Sequence, residues 1–469
     1  MMWNFNSIDN NVALIEDSGL HITYYQLNAM SRNLSNFFSG KKLVFCLCKN
    51  TIGSILGYVT FVNSKQVPLL LNSELDSSLL HFLFDTYKPQ YMWIPKEQLN
   101  LFSDLSVIYN IYDYVLIKTN FNDNTNINDE LALLLTTSGS TGSPKLVRQS
   151  YKNIKANTES IVEYLKIDKN EKAITTLPMN YTYGLSIINS HLYAGATLLL
   201  TDKSILEKEF WHFFKEYNAT SFGGVPYTYE ILEKLRFFKM DLPSLKTMTQ
   251  AGGKLLPSLH EKFAKYALEN NKDFVVMYGQ TEATARMAYL PAEKSLEKFG
   301  SMGFAIPGGK FELYDLNSNV ITENDVVGEL VYYGDNVTLG YAEELSDLEK
   351  GDERHGKLVT GDMAYRDKDG YHFVVGRKKR FLKIFGNRVN LDEIERMIKK
   401  EFNIMNCACS GYDDNLFIFL VEDFNTNDIK TFLEDKTKLN RAAFNVKFIE
   451  KIPKNDSGKI LYKEFKEHF

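Results

Sequence analysis

An α/β protein of two or three domains is the prediction for this chain, and three observations carry it. Its 469 residues exceed one ordinary domain, and 44% of them are hydrophobic, enough for a sizeable core. Short apolar runs rich in Val, Ile, Phe and Leu alternate with amphipathic stretches, which argues for largely parallel sheets flanked by helices. After about residue 310 this alternation yields to hairpin patterns and then to a short basic segment. The expected architecture is α/β: a large N-terminal domain of mixed sheets flanked by helices plus a β-rich subdomain, with a small α+β C-terminal domain.

Taken in order, "KLVFCLC" reads as a buried strand, "TIGSILGYVTFVNS" as a helix and "QVPLLLN" as a strand. "LDSSLLHFLFDTYK" is a helix with Asp76 as its N-cap candidate, and "PQYMWIP" is again a strand. The pattern recurs through "KAITTLP", "ATLLLT", "ATSFGGVP", "LKTMTQAGG" and "DFVVMYG". Beyond these, "KFELYDLNSNVIT", "VGELVYYG" and "KLVTGDMAYRDKDGYHFVVG" read as hairpins, with "DKDG" as a turn. The basic segment "RKKRFLKIFGNRVN" follows. In "LDEIERMIKKEF", Leu391, Ile394 and Ile398 share one helical stripe. A C-terminal domain of roughly 90 residues is expected to begin near Lys379.

Composition excludes several classes. The net charge is -5, so there is no overall basic footprint for nucleic acid. No run approaches the roughly 20 apolar residues of a membrane span. "MMWNFNSIDNN" lacks the basic start and apolar core of a signal peptide. Cys46, Cys48, Cys407 and Cys409 form two C-x-C pairs in apolar runs, without the C-x-x-C spacing or His partners of a metal site. They are expected to be buried strand thiols, and the protein a cytoplasmic one.

The stretch "LTTSGSTGSPK", 135–145, follows the apolar run "LALLL" and precedes a later helix, "SYKNIKANTESIVEYL". A strand, a Gly/Ser/Thr loop and a helix together suit anion binding. It is not a Walker A loop, because Pro144 rather than Gly precedes Lys145. Thr137, Ser138, Ser140 and Thr141 supply hydroxyls, Gly139 and Gly142 let the backbone turn, and Lys145 supplies charge. Taken alone, the same composition also fits a surface loop.

Further stretches stand beside it: "ITYYQL" (22–27), "MYGQTEATA" (277–285), "GELVYYGDNVTLGY" (328–341), "LVTGDMAYRDKDGY" (358–371), "GRKKRFLKIFGNRVNLDEIE" (376–395) and "IPKNDSGKILY" (452–462). In this order they resemble the adenylate-forming enzymes: acyl-CoA synthetases, peptide-synthetase adenylation domains and luciferases. The resemblance spans essentially the whole chain. It implies ATP-dependent activation of a carboxylic acid to an acyl-adenylate, with pyrophosphate released, and then transfer to a thiol. ATP and Mg²⁺ are implied, with CoA or a carrier protein's phosphopantetheine as acceptor.

The resemblance also implies roles. The 137–145 loop would wrap the β- and γ-phosphates. Glu282 would ligate Mg²⁺, and Thr281 would contact the α-phosphate. Gly252, Gly253 and Lys254 would line the adenine site together with Tyr278 and Gly279. Asp362 would accept from the ribose hydroxyls and Arg377 would add a contact. Lys459 would be the catalytic lysine, and Lys379 the hinge between a domain at 1–378 and a mobile one at 379–469. Lys383 and Gly386 would face the thiol channel. The basic cluster Lys378, Lys379, Arg380, Lys383 and Arg388 would attract the acceptor's phosphates.

Two departures sit beside catalytic positions: Leu146 follows the loop lysine where the family has Gly, and Asn455 stands where Thr is common. In the acyl region, "LPMNYTYGLS" lacks the aspartate that pairs with an α-amino acid's ammonium, and Tyr181 replaces a histidine. Tyr181, Tyr183, Phe222, Gly224 and Met277 are candidate pocket walls, with Gly223 and Gly224 leaving room. An adenylation enzyme that loads a separate carrier protein, and an inactive scaffold, are the alternatives. The second is disfavoured because Lys145, Glu282, Asp362 and Lys459 are all present.

Overall fold

The computed structural model describes residues 2, 3, 5, 10–121, 126–136, 145–315, 317–385, 387–454 and 460–468. It divides into two compact units. The first takes the described residues up to Lys310 together with Tyr332–Leu358; the second takes Phe311–Val331 and the described part of Val359–Phe469.

The first unit is built on two large sheets. Among the described residues, one sheet has nine strands and the other eight. The nine-stranded sheet has a parallel centre: Val12–Glu16, Thr197–Leu200, Lys172–Ile174, Ser221–Gly224, Thr247–Gln250 and Asp273–Tyr278. In the eight-stranded sheet Leu131–Thr136, Val67–Asn72, Leu43–Cys48 and Tyr91–Pro95 run parallel, with antiparallel strands at both edges. Every residue of Leu43–Cys48 is buried, as a parallel strand covered on both faces requires. The helices Ile52–Asn63 and Thr182–Ala194 are buried nearly all round, because both lie in the core that the two sheets share. Tyr58 Oη on one donates to Asn189 Oδ1 on the other at 2.9 Å. The helix Ser77–Tyr87 starts at the expected cap: Asp76 Oδ1 accepts from the amides of Ser78 and Leu79.

In the second unit, Lys357–Arg366 and His372–Arg377 pair antiparallel across the "DKDG" turn. They belong to a four-stranded sheet with Gly309–Tyr314 and Gly328–Gly334, whose residues fall chiefly in this unit. The basic segment folds as a two-stranded hairpin, Phe381–Ile384 with Asn387–Asn390. The period-2 signal over four-residue strands is too short to separate from loop in sequence. The helix Leu391–Glu401 buries Leu391, Ile394 and Ile398 against the three-stranded sheet Cys407–Tyr412, Asn415–Leu420 and Phe444–Phe448. All four cysteines are buried free thiols, and burial pushes Cys48 up to about 12. None of the described helices is long and apolar enough to cross a membrane.

Candidate active site

Thr137, Ser138, Gly139, Ser140, Thr141, Gly142, Gly386 and Lys459 lie outside the described residues. The frame of the Ser/Thr/Gly loop is nevertheless clear. Leu131–Thr136 and Leu146–Ser150 form an antiparallel pair, with Thr136 opposite Leu146 and Leu131 opposite Ser150. This corrects the expected strand, loop and helix arrangement. The helix Tyr151–Leu165 begins at the far end of the second strand, after Ser150 and roughly 14 Å along the strand from Leu146. Lys145, at the loop's edge, pairs with Glu343 at 2.6 Å.

Glu282 is the centre of a convergence that pairs three distant stretches. Tyr341 Oη donates to Glu282 Oε1 at 2.7 Å. The Tyr341 ring carries Lys145 Nζ on one contact, at 5.7 Å, and the Arg354 guanidinium on another, at 4.6 Å. Both are cation–π distances. Burial and the neighbouring carboxylate push the Tyr341 hydroxyl up to about 12, so it stays protonated and donates. The Glu282 carbonyl accepts from the Thr338 amide, the Thr338 hydroxyl and Arg354 Nη1, each at 3.0 Å. Asn336 Nδ2 donates to the carbonyls of Ala283 and Arg286, and Thr284 sits at φ 62°, its hydroxyl donating to Asn336 O. Three bonds on one carbonyl and a clamped left-handed turn fix the height of the Glu282 side chain.

Tyr341 is itself held by Arg148, which is wholly buried. Arg148 Nε donates to Tyr341 O at 3.0 Å, and its Nη2 pairs with Glu353. Sequence reading missed Arg148, Tyr341, Glu343 and Arg354 as site residues. Tyr341 closes the quoted "VTLGY" stretch and is the one that could have been flagged there. Nothing local marks Arg354, since its partner lies 72 residues away.

The adenine-site segment begins where strand Thr247–Gln250 ends. Gly252 turns with φ +83°, and a Cβ there would lie 2.5 Å from Tyr181 Oη. Gly253 and Lys254 are exposed. Gln250 Nε2 donates to the carbonyls of Ala251 and Gly253 and holds the turn, while its Oε1 is buried without a partner. Tyr278 ends the next strand, with Gly279 and Thr281 following it.

The expected acyl walls divide between two faces. Tyr183 Oη shares a 2.8 Å hydrogen bond with Thr249 Oγ1, and Met277 lies in the same cluster. Gly223 faces them: a Cβ there would meet Ile187 at 2.8 Å and Tyr183 Oη at 2.9 Å. Strand alternation turns Phe222 and Gly224 to the opposite face. There Phe222 packs on Tyr229 and Phe237, and a Cβ on Gly224 would meet Thr228. The space beside the two glycines is filled by these side chains. Tyr181 and Tyr183 stand edge to face, with centroids 6.3 Å apart. Arg286, also missed in sequence, reaches the Tyr183 face of this group.

Within the second unit, Asp362 and Arg377 are register partners and form a 2.8 Å ion pair, Asp362 being buried. The basic cluster is not uniformly available. Arg380 is buried, pairs with Asp392 and Glu395, and covers the Tyr462 ring at 3.6 Å. Lys378 pairs with Glu329 at 2.7 Å. Lys379 and Lys383 are exposed.

The donor set suits a phosphate–Mg²⁺ group. Glu282 Oε2 has no partner among the described residues, so a carboxylate oxygen is available to a hard cation. No cluster of three metal-ligating side chains occurs among the described residues.

Residues 4–342 match the AMP-binding enzyme family. An oxalate–CoA ligase of Arabidopsis thaliana is 30% identical over 73% of this chain and 68% of its own length. A probable CoA ligase of Humulus lupulus is 28% identical over 72% of this chain. The match spans 63% of the Humulus protein's length. Among solved structures, the O-succinylbenzoate coenzyme A synthetase of Bacillus subtilis with AMP superposes at a TM-score of 0.79. It is 20% identical, and 97% of this chain and 95% of that one are covered. The same synthetase is also known with ATP and a magnesium ion.

Proposed function

The chain belongs to the AMP-binding enzyme family, and from that premise we propose that it is an AMP-forming acid–thiol ligase. A carboxylate oxygen of the substrate attacks the α-phosphorus of ATP, the bond to the bridging oxygen breaks, and pyrophosphate leaves. A thiol then displaces AMP from the acyl carbon. The first step brings two anions together, so catalysis is mainly positioning and charge neutralisation.

The observation that supports this reading most is the cluster in which Tyr341 and Arg354 hold Glu282 and Lys145 lies over the Tyr341 ring. Tyr341 and Arg354 bond to Glu282 directly, while Lys145 lies over the Tyr341 ring and pairs with Glu343, which supports reading this cluster as a cation-bearing phosphate site. Mg²⁺ held at Glu282 would neutralise phosphate oxygens. Thr281 would reach the α-phosphate, Asp362 and Arg377 the ribose, and Lys459 the reacting oxygens. We place the functional boundary at Lys379, which lies in the turn Lys378–Arg380. CoA is the preferred acceptor, because the curated relatives include CoA ligases. A carrier's phosphopantetheine offers the same thiol. The four buried free thiols suit a reducing cytoplasm.

The test is pyrophosphate release across a panel of carboxylic acids, with CoA and a phosphopantetheinylated carrier each offered as acceptor. Release that depends on the acid, followed by thioester with one acceptor, is the expected result. No release with any acid and no ATP binding by calorimetry would leave the inactive scaffold in its place.

A further inference from the structure

Three arginines among the described residues are buried: Arg148, Arg286 and Arg380. Two of them have carboxylates, Glu353 for Arg148 and Asp392 with Glu395 for Arg380. Arg286 has none among the described residues. Only 2% of it is exposed. Its Nε donates to Ser186 Oγ at 3.1 Å, and its Nη1 to Tyr164 Oη at 3.1 Å and Met277 Sδ at 3.2 Å. The guanidinium also covers the Tyr183 ring at 5.2 Å. Every partner is neutral, and Nη2 donates to none of the described groups.

A guanidinium does not shed its proton in a protein, so this charge is permanent. An uncompensated buried charge is costly, and pairing is the usual remedy. The two phenols beside it do not supply the counter-charge, because burial raises both Tyr164 and Tyr183. The position is the informative part. Tyr183 and Met277, which Arg286 touches, are the walls expected to hold the acyl group. Gly223 brings the backbone close on the same face.

We propose that Arg286 receives a second carboxylate on the acid substrate, so that the preferred substrate is a dicarboxylic acid: one carboxylate is activated while the other is held at Arg286. This rests on the acid-activation reading above and names its substrate class. Ser186, Tyr164 and Met277 hold the Nε and Nη1 edge, which leaves Nη2 to donate a charge-assisted hydrogen bond to a carboxylate oxygen.

The experiment uses the full chain and matched pairs of acids: α,ω-dicarboxylates from malonate to adipate, each with the monocarboxylate of equal carbon number. Binding is read by calorimetry and activation by ATP–pyrophosphate exchange, for the native chain, Arg286→Met and Arg286→Lys. At least one dicarboxylate should exceed its partner in kcat/KM by about 30-fold or more, the scale of a charged hydrogen-bonded pair. That ratio should fall by about the same factor in Arg286→Met and by less in Arg286→Lys. Arg286→Met should melt no lower than the native chain, because it removes an unpaired buried charge. A ratio unchanged by Arg286→Met, or monocarboxylates preferred throughout, overturns the proposal. So does a variant that unfolds and loses both acids alike, which marks Arg286 as a structural prop. Exchange with monocarboxylates alone would sink this proposal and keep the activation reading. Arg286-dependent binding of dicarboxylates without any exchange would do the reverse.

Discussion

Replacing Gly279 by Ala tests whether the Glu282 turn must stand where it does. A Cβ on Gly279 would lie 1.6 Å from Ala285 O, 2.7 Å from Ala285 C and 3.0 Å from Arg286 Cα. Carbon and carbonyl oxygen approach to roughly 3.3 Å, so the two segments must part by about 1.7 Å. Both obstacles are backbone, and the segment beyond is tied down: the Arg286 carbonyl accepts from Asn157 and Asn336. Overpacking of this kind costs about 1–3 kcal/mol, which for a unit of this size lowers Tm by about 1–4 °C. Glu282 lies between the two clashing segments and cannot keep its height when they separate. A displacement of about 1 Å at a positioning residue is worth on the order of 10²-fold in rate. Acid-dependent ATP–pyrophosphate exchange, read beside a thermal melt, should therefore fall about 100-fold with a lowered Tm. Gly351→Ala is the control, since its Cβ would meet only Asn128 Nδ2 at 3.9 Å. Exchange within threefold of the native chain and an unmoved Tm for Gly279→Ala would refute the reasoning.

Tyr341→Phe keeps the ring under Lys145 and Arg354 but removes the donor to Glu282; kcat/KM for ATP should fall about 10-fold at limiting Mg²⁺ and less at saturating Mg²⁺. An equal loss at both Mg²⁺ levels would detach Tyr341 from the metal. Lys459→Ala should abolish acid-dependent exchange yet largely keep thioester formation from added acyl-adenylate, and equal loss of both half-reactions would defeat a lysine confined to the first. His191 and His260 are buried and neutral, each held down to about 4 by burial. Their unfolded value near 6.5 means that the unfolded chain takes up protons first, so stability is complete above pH 6.5 and drains away towards pH 4. Each drains roughly 3 kcal/mol over that window. Melting followed from pH 7 to 4 should show His260→Gln with a shallower slope than the native chain, and a parallel slope would exclude His260 from the effect.

Much of this molecule was legible residue by residue. Leu43–Cys48, Ile52–Asn63, Val67–Asn72, Ser77–Tyr87 and Tyr91–Pro95 appear where composition and the Asp76 cap place them. These signals are local: a continuous apolar run, a period, a capping side chain. The hairpin within "RKKRFLKIFGNRVN" was read only as basic, because charge masks a two-residue period over four-residue strands. Arg380 was counted with its basic neighbours, yet it is the buried member, bound to carboxylates 12 and 15 residues away.

Sequence alone determined the order of the motifs, and through it the family, because the stretches that carry the resemblance are written in covalent succession. It also determined the parallel α/β character, since strand and helix periods are properties of neighbours. Tertiary structure alone decided which side of a strand meets which ring, and so parted Phe222 and Gly224 from Tyr183. It alone brought Tyr341 and Arg354 to Glu282 and Lys145 to the Tyr341 ring, across separations of up to 196 residues. It alone showed Arg286 buried without a carboxylate. Those facts depend on what packs against a side chain after the chain has closed on itself, and no local pattern encodes the partner.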